Sequence, residues 1–249
     1  MKEKLQFCLD KISLIRSKLP KKKPHSEKYY KMIAFLNKYS LVFHFILACV
    51  LTFAIEVISR RDFLSTISFL HNHTLAYLYN AFIVFASLSI VYLFRCRAQL
   101  RVLISGLWLF LGTINGLILS NRVTPFSYTD LKCISDLFAM QNTNYFTAEE
   151  ATLVVGVVVA FFVFLGFFFA KGPKYQGKRH FVLGPVSIAA LLLVGLPITT
   201  QAAQGSNILA SYFSNIAQGY ADYGFVYGFS TSVVDRGMSK PDDYSEQKI

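Results

Sequence analysis

Five runs of about 20 consecutive, mostly apolar residues constrain this chain more than any other feature. They cover approximately Ser40–Ser59, Thr74–Phe94, Val102–Ser120, Ala151–Ala170 and Phe181–Thr200. At about 1.5 Å of rise per residue, each is long enough as a helix to cross a hydrocarbon core of roughly 30 Å. A backbone in lipid must satisfy its own polar groups, so these runs have to be helical. Composition agrees: 54% of the 249 residues are hydrophobic and only 16% are charged, against about 25% charged in a soluble domain. The predicted fold class is all-α and integral to a membrane, a five-transmembrane-helix bundle.

The net charge is +11, which by itself would also suit a nucleic-acid binder. Its placement argues for a membrane instead. Of the 25 Lys and Arg, eleven precede residue 39 and seven more fall in the short segments 95–101 and 171–180. That is the bias of cytoplasmic loops. It places the N-terminus in the cytoplasm, and an odd number of spans then places the C-terminus outside. No nucleic-acid partner is expected. The chain divides into a basic cytoplasmic region (1–38), a five-helix transmembrane domain (39–201) and an extracellular juxtamembrane linker (202–249).

Within the first region, Leu5, Cys8, Leu9, Ile12, Ile15 and Leu19 recur at helical spacing among lysines and Arg16. This predicts a basic amphipathic helix on the membrane surface. Outside, the sequence predicts a loop near 60–73 and a longer one near 121–150, the latter with a short helix marked by Leu131, Ile134, Leu137 and Phe138. In the tail, Ile208, Leu209, Tyr212, Phe213 and Ile216 predict another helix, capped by Ser206 and stopped by Gly219. Both are expected to lie flat on the outer leaflet as short interfacial helices, with a small separate extracellular core as the alternative.

Polar residues inside hydrocarbon are expensive, so the exceptions carry information. Glu56, Asn80 and Asn115 fall at a similar depth below the outer ends of the first three spans, roughly 5–9 Å by helical rise. Arg60, Arg61, Arg122 and Asp130 stand above them. One reading is a headgroup-level niche, in which arginine forks hold a lipid phosphate and the amides fix hydroxyls. The other is interhelical glue, with Glu56 and Arg60 as an i, i+4 pair. His44 reads as a hydrogen bond within the bundle, and His71 with His73 as surface polarity. The phenylalanines between Phe161 and Phe169 surround their helix and read as a lipid-facing or docking surface. Cys8, Cys49, Cys96 and Cys133 form no zinc spacing, and Cys133 alone is expected outside. No nucleophile, phosphate-loop or metalloprotease motif is present. A transporter or channel is disfavoured because the fourth and fifth spans offer almost no polar lining.

Several short motifs together resemble the lipoteichoic acid synthase-like family of sulfatase-type phosphoglycerol transferases. Asn121-Arg122-Val123-Thr124-Pro125-Phe126 with Asp130-Leu131 is similar to the loop after that family's third helix. The run Tyr223-Gly224-Phe225-Val226-Tyr227-Gly228-Phe229, then Gly237, Pro241 and Tyr244-Ser245, resembles the linker after its fifth. Glu56 with Arg60 and Arg61, Asn80 within Leu78–Ala81, and Asn115 after Gly112-Thr113-Ile114 also fit. The resemblance implies five helices followed by a linker and a large extracellular catalytic domain. That domain would use a threonine nucleophile and a manganese-type metal to move glycerol phosphate from phosphatidylglycerol onto teichoic acid, a step of bacterial cell wall biogenesis. The sequence stops at Ile249, where that domain is expected to begin. This chain is therefore expected to carry no catalytic residue and no cofactor and to be inactive alone. The implied function is to anchor and orient the catalytic domain and to bind a phospholipid. The alternative is a non-catalytic scaffold that recruits other cell-envelope proteins.

Overall fold

A computed structural model describes residues 26–132, 152, 155–156, 159, 161–166 and 183–234. The described residues are mostly helical and contain no strand. The chain forms two compact units, residues 1–43 and 44–249. In the first, helix α1 (Glu27–Lys38) carries a Glu27–Lys31 pair at 2.7 Å. The ring of Phe35 packs on Tyr39 and Phe43, one and two turns further on. The basic helix expected around Leu5–Leu19 lies outside the described residues.

In chain order, α2 (Ser40–Arg60) is followed by α3 (Phe63–Asn72), then by α4 (Thr74–Ser89) with its 3-10 extension Ile90–Leu93. Next come α5 (Arg97–Asn121) and the short α6 (Tyr128–Lys132). After the gap come α7 (Leu183–Ala190), a π-turn at Leu191–Gly195, and α8 (Leu196–Gly205). The π-turn has a local cause: Pro197 has no N–H to give to the carbonyl of residue 193, and the wider turn absorbs the mismatch. Finally come α9 (Ile216–Tyr223) and α10 (Phe225–Val234).

Four helical stretches among the described residues are long and apolar enough to cross a membrane: Ser40–Arg60, Thr74–Leu93, Arg97–Asn121 and Gly184–Gly205. They coincide with the first, second, third and fifth runs of the sequence. Half of the expected fourth span, 151–170, lies outside the described residues; 152, 155–156, 159 and 161–166 are helical.

Hydrogen bonds between spans consume the isolated polar groups. The Tyr77 hydroxyl donates to the Cys49 carbonyl at 2.7 Å, and the Trp108 indole donates to Ser87 Oγ at 3.0 Å. His44 Nε2 lies 3.2 Å from the Phe85 carbonyl. Thr52 and Thr113 return their hydroxyls to the carbonyl four residues back. The helices approach closely where α5 presents Gly112 and Gly116 to α2. A Cβ on Gly116 would lie 2.5 Å from the Ile58 carbonyl oxygen, and one on Gly112 would lie 3.2 Å from Ile55 Cγ2. Small residues four apart are a common means of bringing spanning helices together.

Three expectations are corrected. Residues 63–72 are not loop but helix α3, because Asp62 caps it: its carboxylate accepts from the N–H groups of Leu64 and Ser65 at 3.0 and 3.2 Å. The tail helix does not run from Ser206 to Gly219. Residues 206–215 are irregular, and α9 begins only at Ile216, where Asn215 accepts from the N–H groups of Ala217 and Gln218. Nor does the tail lie flat on a leaflet or form its own core. Leu209, Tyr220, Phe225, Val226, Tyr227 and Phe229 belong to the same buried cluster as Leu51, Ile55 and Val84 of the spans. These side chains are covered by the bundle, while Tyr212, Ile216, Val233 and Val234 stay exposed. The helix expected across 131–138 lies outside the described residues beyond Lys132.

The α2–α5 contact is testable. Gly116→Ala should destabilise the bundle by about 1–3 kcal/mol through overpacking. Gly184→Ala, where an added Cβ meets nothing within 4 Å, should be near neutral. Thermal unfolding in detergent reads both.

Candidate functional site

The tail turns back on itself at Gly224, whose φ of +90° suits only a residue without a side chain. This break ends α9 and starts α10, and each helix end exposes main-chain groups that its own helix cannot pair. The bundle pairs them. Glu56 Oε1 accepts from the Phe225 N–H at 2.7 Å, and Asn80 Oδ1 accepts from the Tyr227 N–H at 2.6 Å. On the other side of the break, Asn80 Nδ2 donates to the Tyr223 carbonyl at 2.7 Å. Arg60 Nη2 donates to the Ala221 carbonyl at 2.8 Å. A carboxylate thus meets the start of α10 and a guanidinium meets the end of α9, the polarity that the helix dipoles favour.

The clamp is internally braced. Arg60 Nε donates to Glu56 Oε2 at 2.9 Å, and its guanidinium lies 4.2 Å over the Phe69 ring. Glu56 and Asn80 are both essentially fully buried. They stand so close about Gly224 that a Cβ there would lie 2.9 Å from Glu56 Oε1 and 2.9 Å from Asn80 Nδ2.

A second set of contacts holds the far side of α10. Asn115 donates to Ser59 Oγ at 2.6 Å and accepts from the Phe126 N–H at 2.7 Å. Phe126 then stacks on Phe229, with centroids 5.7 Å apart and planes 9° from parallel. Its carbonyl accepts from the Tyr220 hydroxyl at 3.2 Å. Burial pushes the Tyr220 hydroxyl up to about 12, so it stays a neutral donor. The Tyr128 N–H donates to Ser232 Oγ at 2.9 Å. The turn between Phe126 and α6 is closed by Asp130, which accepts from Arg122 at 2.7 Å and from the Ser127 N–H at 2.8 Å. Burial alone would raise the Asp130 carboxyl, but Arg122 and Ser127 outweigh it and hold it below the usual carboxylate range.

Of the residues singled out in the sequence, Glu56, Arg60 and Asn80 meet around Gly224, and Asn115 joins them through Ser59 and Phe126. Arg122 and Asp130 pair with each other at the rim. Arg61 stands apart. It is exposed, has the left-handed φ of +55°, and makes no polar contact among the described residues. Among those residues no group of three His, Cys, Asp or Glu could hold a metal ion.

Sequence reasoning missed Ser59, Phe126 and Tyr220 as parts of this site, and missed that the aromatic-glycine tail is what the polar side chains grip. The available signal was the repeated Tyr-Gly-Phe at 223–225 and 227–229. Such density of aromatics and glycine is unusual for a solvated linker. Comparison of the chain with protein-family models, with curated proteins and with solved structures returns no match.

Asn80→Ala would strand a buried N–H and a buried carbonyl, at about 1–3 kcal/mol for each group. Hydrogen exchange should show the amides of Phe225 and Tyr227 losing protection while those of α2 and α4 keep theirs. The rim should respond to acid. Because the folded Asp130 carboxyl sits below its unfolded value of about 3.9, its stabilisation is present above that value. It is lost as pH falls through the lower, folded value. Protection of the Ser127 amide, corrected for intrinsic exchange, should fall on that descent, and Asp130→Asn should loosen the turn at neutral pH and remove this pH dependence.

Proposed function

We propose that this chain is the membrane domain of a lipoteichoic acid synthase-like phosphoglycerol transferase, in a bacterial plasma membrane. In this reading it anchors and orients a sulfatase-like catalytic domain and presents a phospholipid to it. The reading is supported above all by the clamp on Gly224. A tail held by Glu56, Arg60 and Asn80 on one side and by Phe126 and Tyr128 on the other leaves the bundle at a fixed place and angle. Whatever follows α10 would start from a held helix.

In this reading the clamped end lies outside, where such a domain would work, and the bias of basic residues supports that orientation. For the lipid, the candidate contacts with polar atoms to spare are at the rim. Arg61 is exposed, and the side chain of Arg122 is 42% accessible beside Asp130. Guanidinium groups at headgroup level suit a phosphodiester. In this reading Glu56, Asn80 and Asn115 shape the floor beneath the headgroup by fixing the tail.

The test is reconstitution in liposomes containing phosphatidylglycerol, with a separately produced sulfatase-like phosphoglycerol transferase domain and Mn2+. Diacylglycerol should form faster with the chain present than with the soluble domain alone, and Arg61→Ala with Arg122→Ala should weaken that gain. Diacylglycerol released by this chain alone would overturn the reading.

A further inference from the structure

The cleft between α2, α4 and the 122–132 turn is filled by the chain's own tail, and the manner of filling has a consequence for partners. We infer that this cleft is a peptide-binding site in its own right. Its partner is a segment of the pattern Tyr-Gly-Phe-Val-Tyr-Gly-Phe, as at Tyr223–Phe229, held even when that segment is no longer joined to the bundle through residues 206–215.

Three observations carry this. First, Glu56, Arg60 and Asn80 all bond to main-chain atoms of the tail. They read a backbone shape, one helix ending and another beginning, as strand-adding and capping sites read main chain rather than side-chain polarity. Second, selectivity comes from exclusion. A Cβ at Gly224 would meet Glu56 and Asn80 of the cleft at 2.9 Å in a left-handed backbone, whereas one at Gly228 would meet the tail's own Tyr220 ring at 2.6 Å and disturb the shape the segment presents. Aromatic anchors fill the pockets between these points, Phe225 and Tyr227 being 1% exposed and Phe229 8%. Buried aromatic anchors with satisfied polar neighbours are the arrangement that carries binding energy in protein interfaces.

Third, the polar grip of the bundle on the tail main chain lies outside the covalent connection. Residues 206–215 hold no regular structure, and Tyr212 within them is 77% exposed. They tie into the fold through Ile208 and the buried Leu209, through the Ala210 carbonyl, which accepts from the Tyr227 hydroxyl at 2.7 Å, and through Phe213, whose ring packs on Tyr220, Tyr223 and Tyr227 of the tail itself. The grip on the tail lies beyond the connection, in α9 and α10. The inference goes past the anchoring role, because nothing in it requires the domain after the tail to be an enzyme. Its failure would leave a covalently tethered anchor intact.

The experiment uses the full chain, with a protease-recognition sequence inserted between the exposed Ser211 and Tyr212 and an epitope tag after Ile249. The protein is purified in mild detergent, cut, and passed over a sizing column. The tag should co-elute with the bundle after cutting, and excess synthetic peptide spanning Ile216–Val234 should exchange it out. The same peptide carrying Gly224→Val should fail to exchange, and this arm is independent of how any protein variant folds. In the cut protein, Asn80→Ala should release the tag at least about tenfold faster, the effect of losing roughly 1.4 kcal/mol. Loss of the tag from the wild type on first dilution would overturn the inference. So would equal retention by the wild type and Asn80→Ala together with equal exchange by both peptides, since the detergent micelle would then be the holder.

Discussion

The tail fold depends on one requirement: main-chain groups exposed where α9 breaks into α10 must find partners in a place that water does not reach. A buried N–H or carbonyl left alone costs about as much as several good contacts supply. Glu56 and Asn80 meet that requirement from two different spans, and Arg60 adds an exposed bond to the Ala221 carbonyl at the margin. Their cost inside apolar surroundings is offset because each of them bonds to groups that would otherwise be orphaned. The polar side chains and the broken backbone are therefore two halves of one solution. Either alone would be a defect in the bundle.

The closeness of that solution explains where glycine occurs. Gly224 lies within contact distance of both Glu56 and Asn80, and Gly116 lets α5 approach the α2 backbone at Ile58. That approach brings Asn115 within 2.6 Å of Ser59 Oγ. Asn115 in turn fixes Phe126, which stacks on Phe229 of the tail. A glycine in the third span thus bears on the position of the last helix, through one hydrogen bond, one amide and one ring pair.

Much of this architecture was legible in the residues. Four of the expected spans coincide with long apolar helices, because hydrophobic length is a local property that a bilayer enforces directly. Glu56, Asn80 and Asn115, which the sequence puts at a similar depth, each make hydrogen bonds beside the tail or the turn that packs on it. What they touch was not legible. A polar residue in a span announces that it has a partner, but not whether that partner is a lipid, another span or a main-chain group some 169 positions away. The tail misled for a related reason. Ile208, Leu209, Tyr212, Phe213 and Ile216 have helical spacing, yet the chain there is irregular. The pull of Leu209 and of the Ala210 carbonyl toward the core outweighs local propensity. Asp62 is the opposite case: its cap is written in the sequence, yet the short α3 it starts lies where hydrophobic length alone predicts a loop.

Magnitudes bear on whether the clamp is a fixed mount or a gate. Phe225, Val226 and Tyr227 are each at most 1% exposed, and burying side chains of this size is worth about 1.5–3 kcal/mol apiece. Opening the cleft would forfeit that burial and leave several main-chain and side-chain groups unpaired at once. To populate the open state, a ligand would have to favour it by the sum of those terms. A single headgroup with a few hydrogen bonds supplies too little. The arrangement therefore favours a tail that stays docked and leaves groups at the rim, such as Arg61, that the tail does not use. Rigidity at Gly224 and chemical freedom at the rim are then complementary properties of the same end of the bundle.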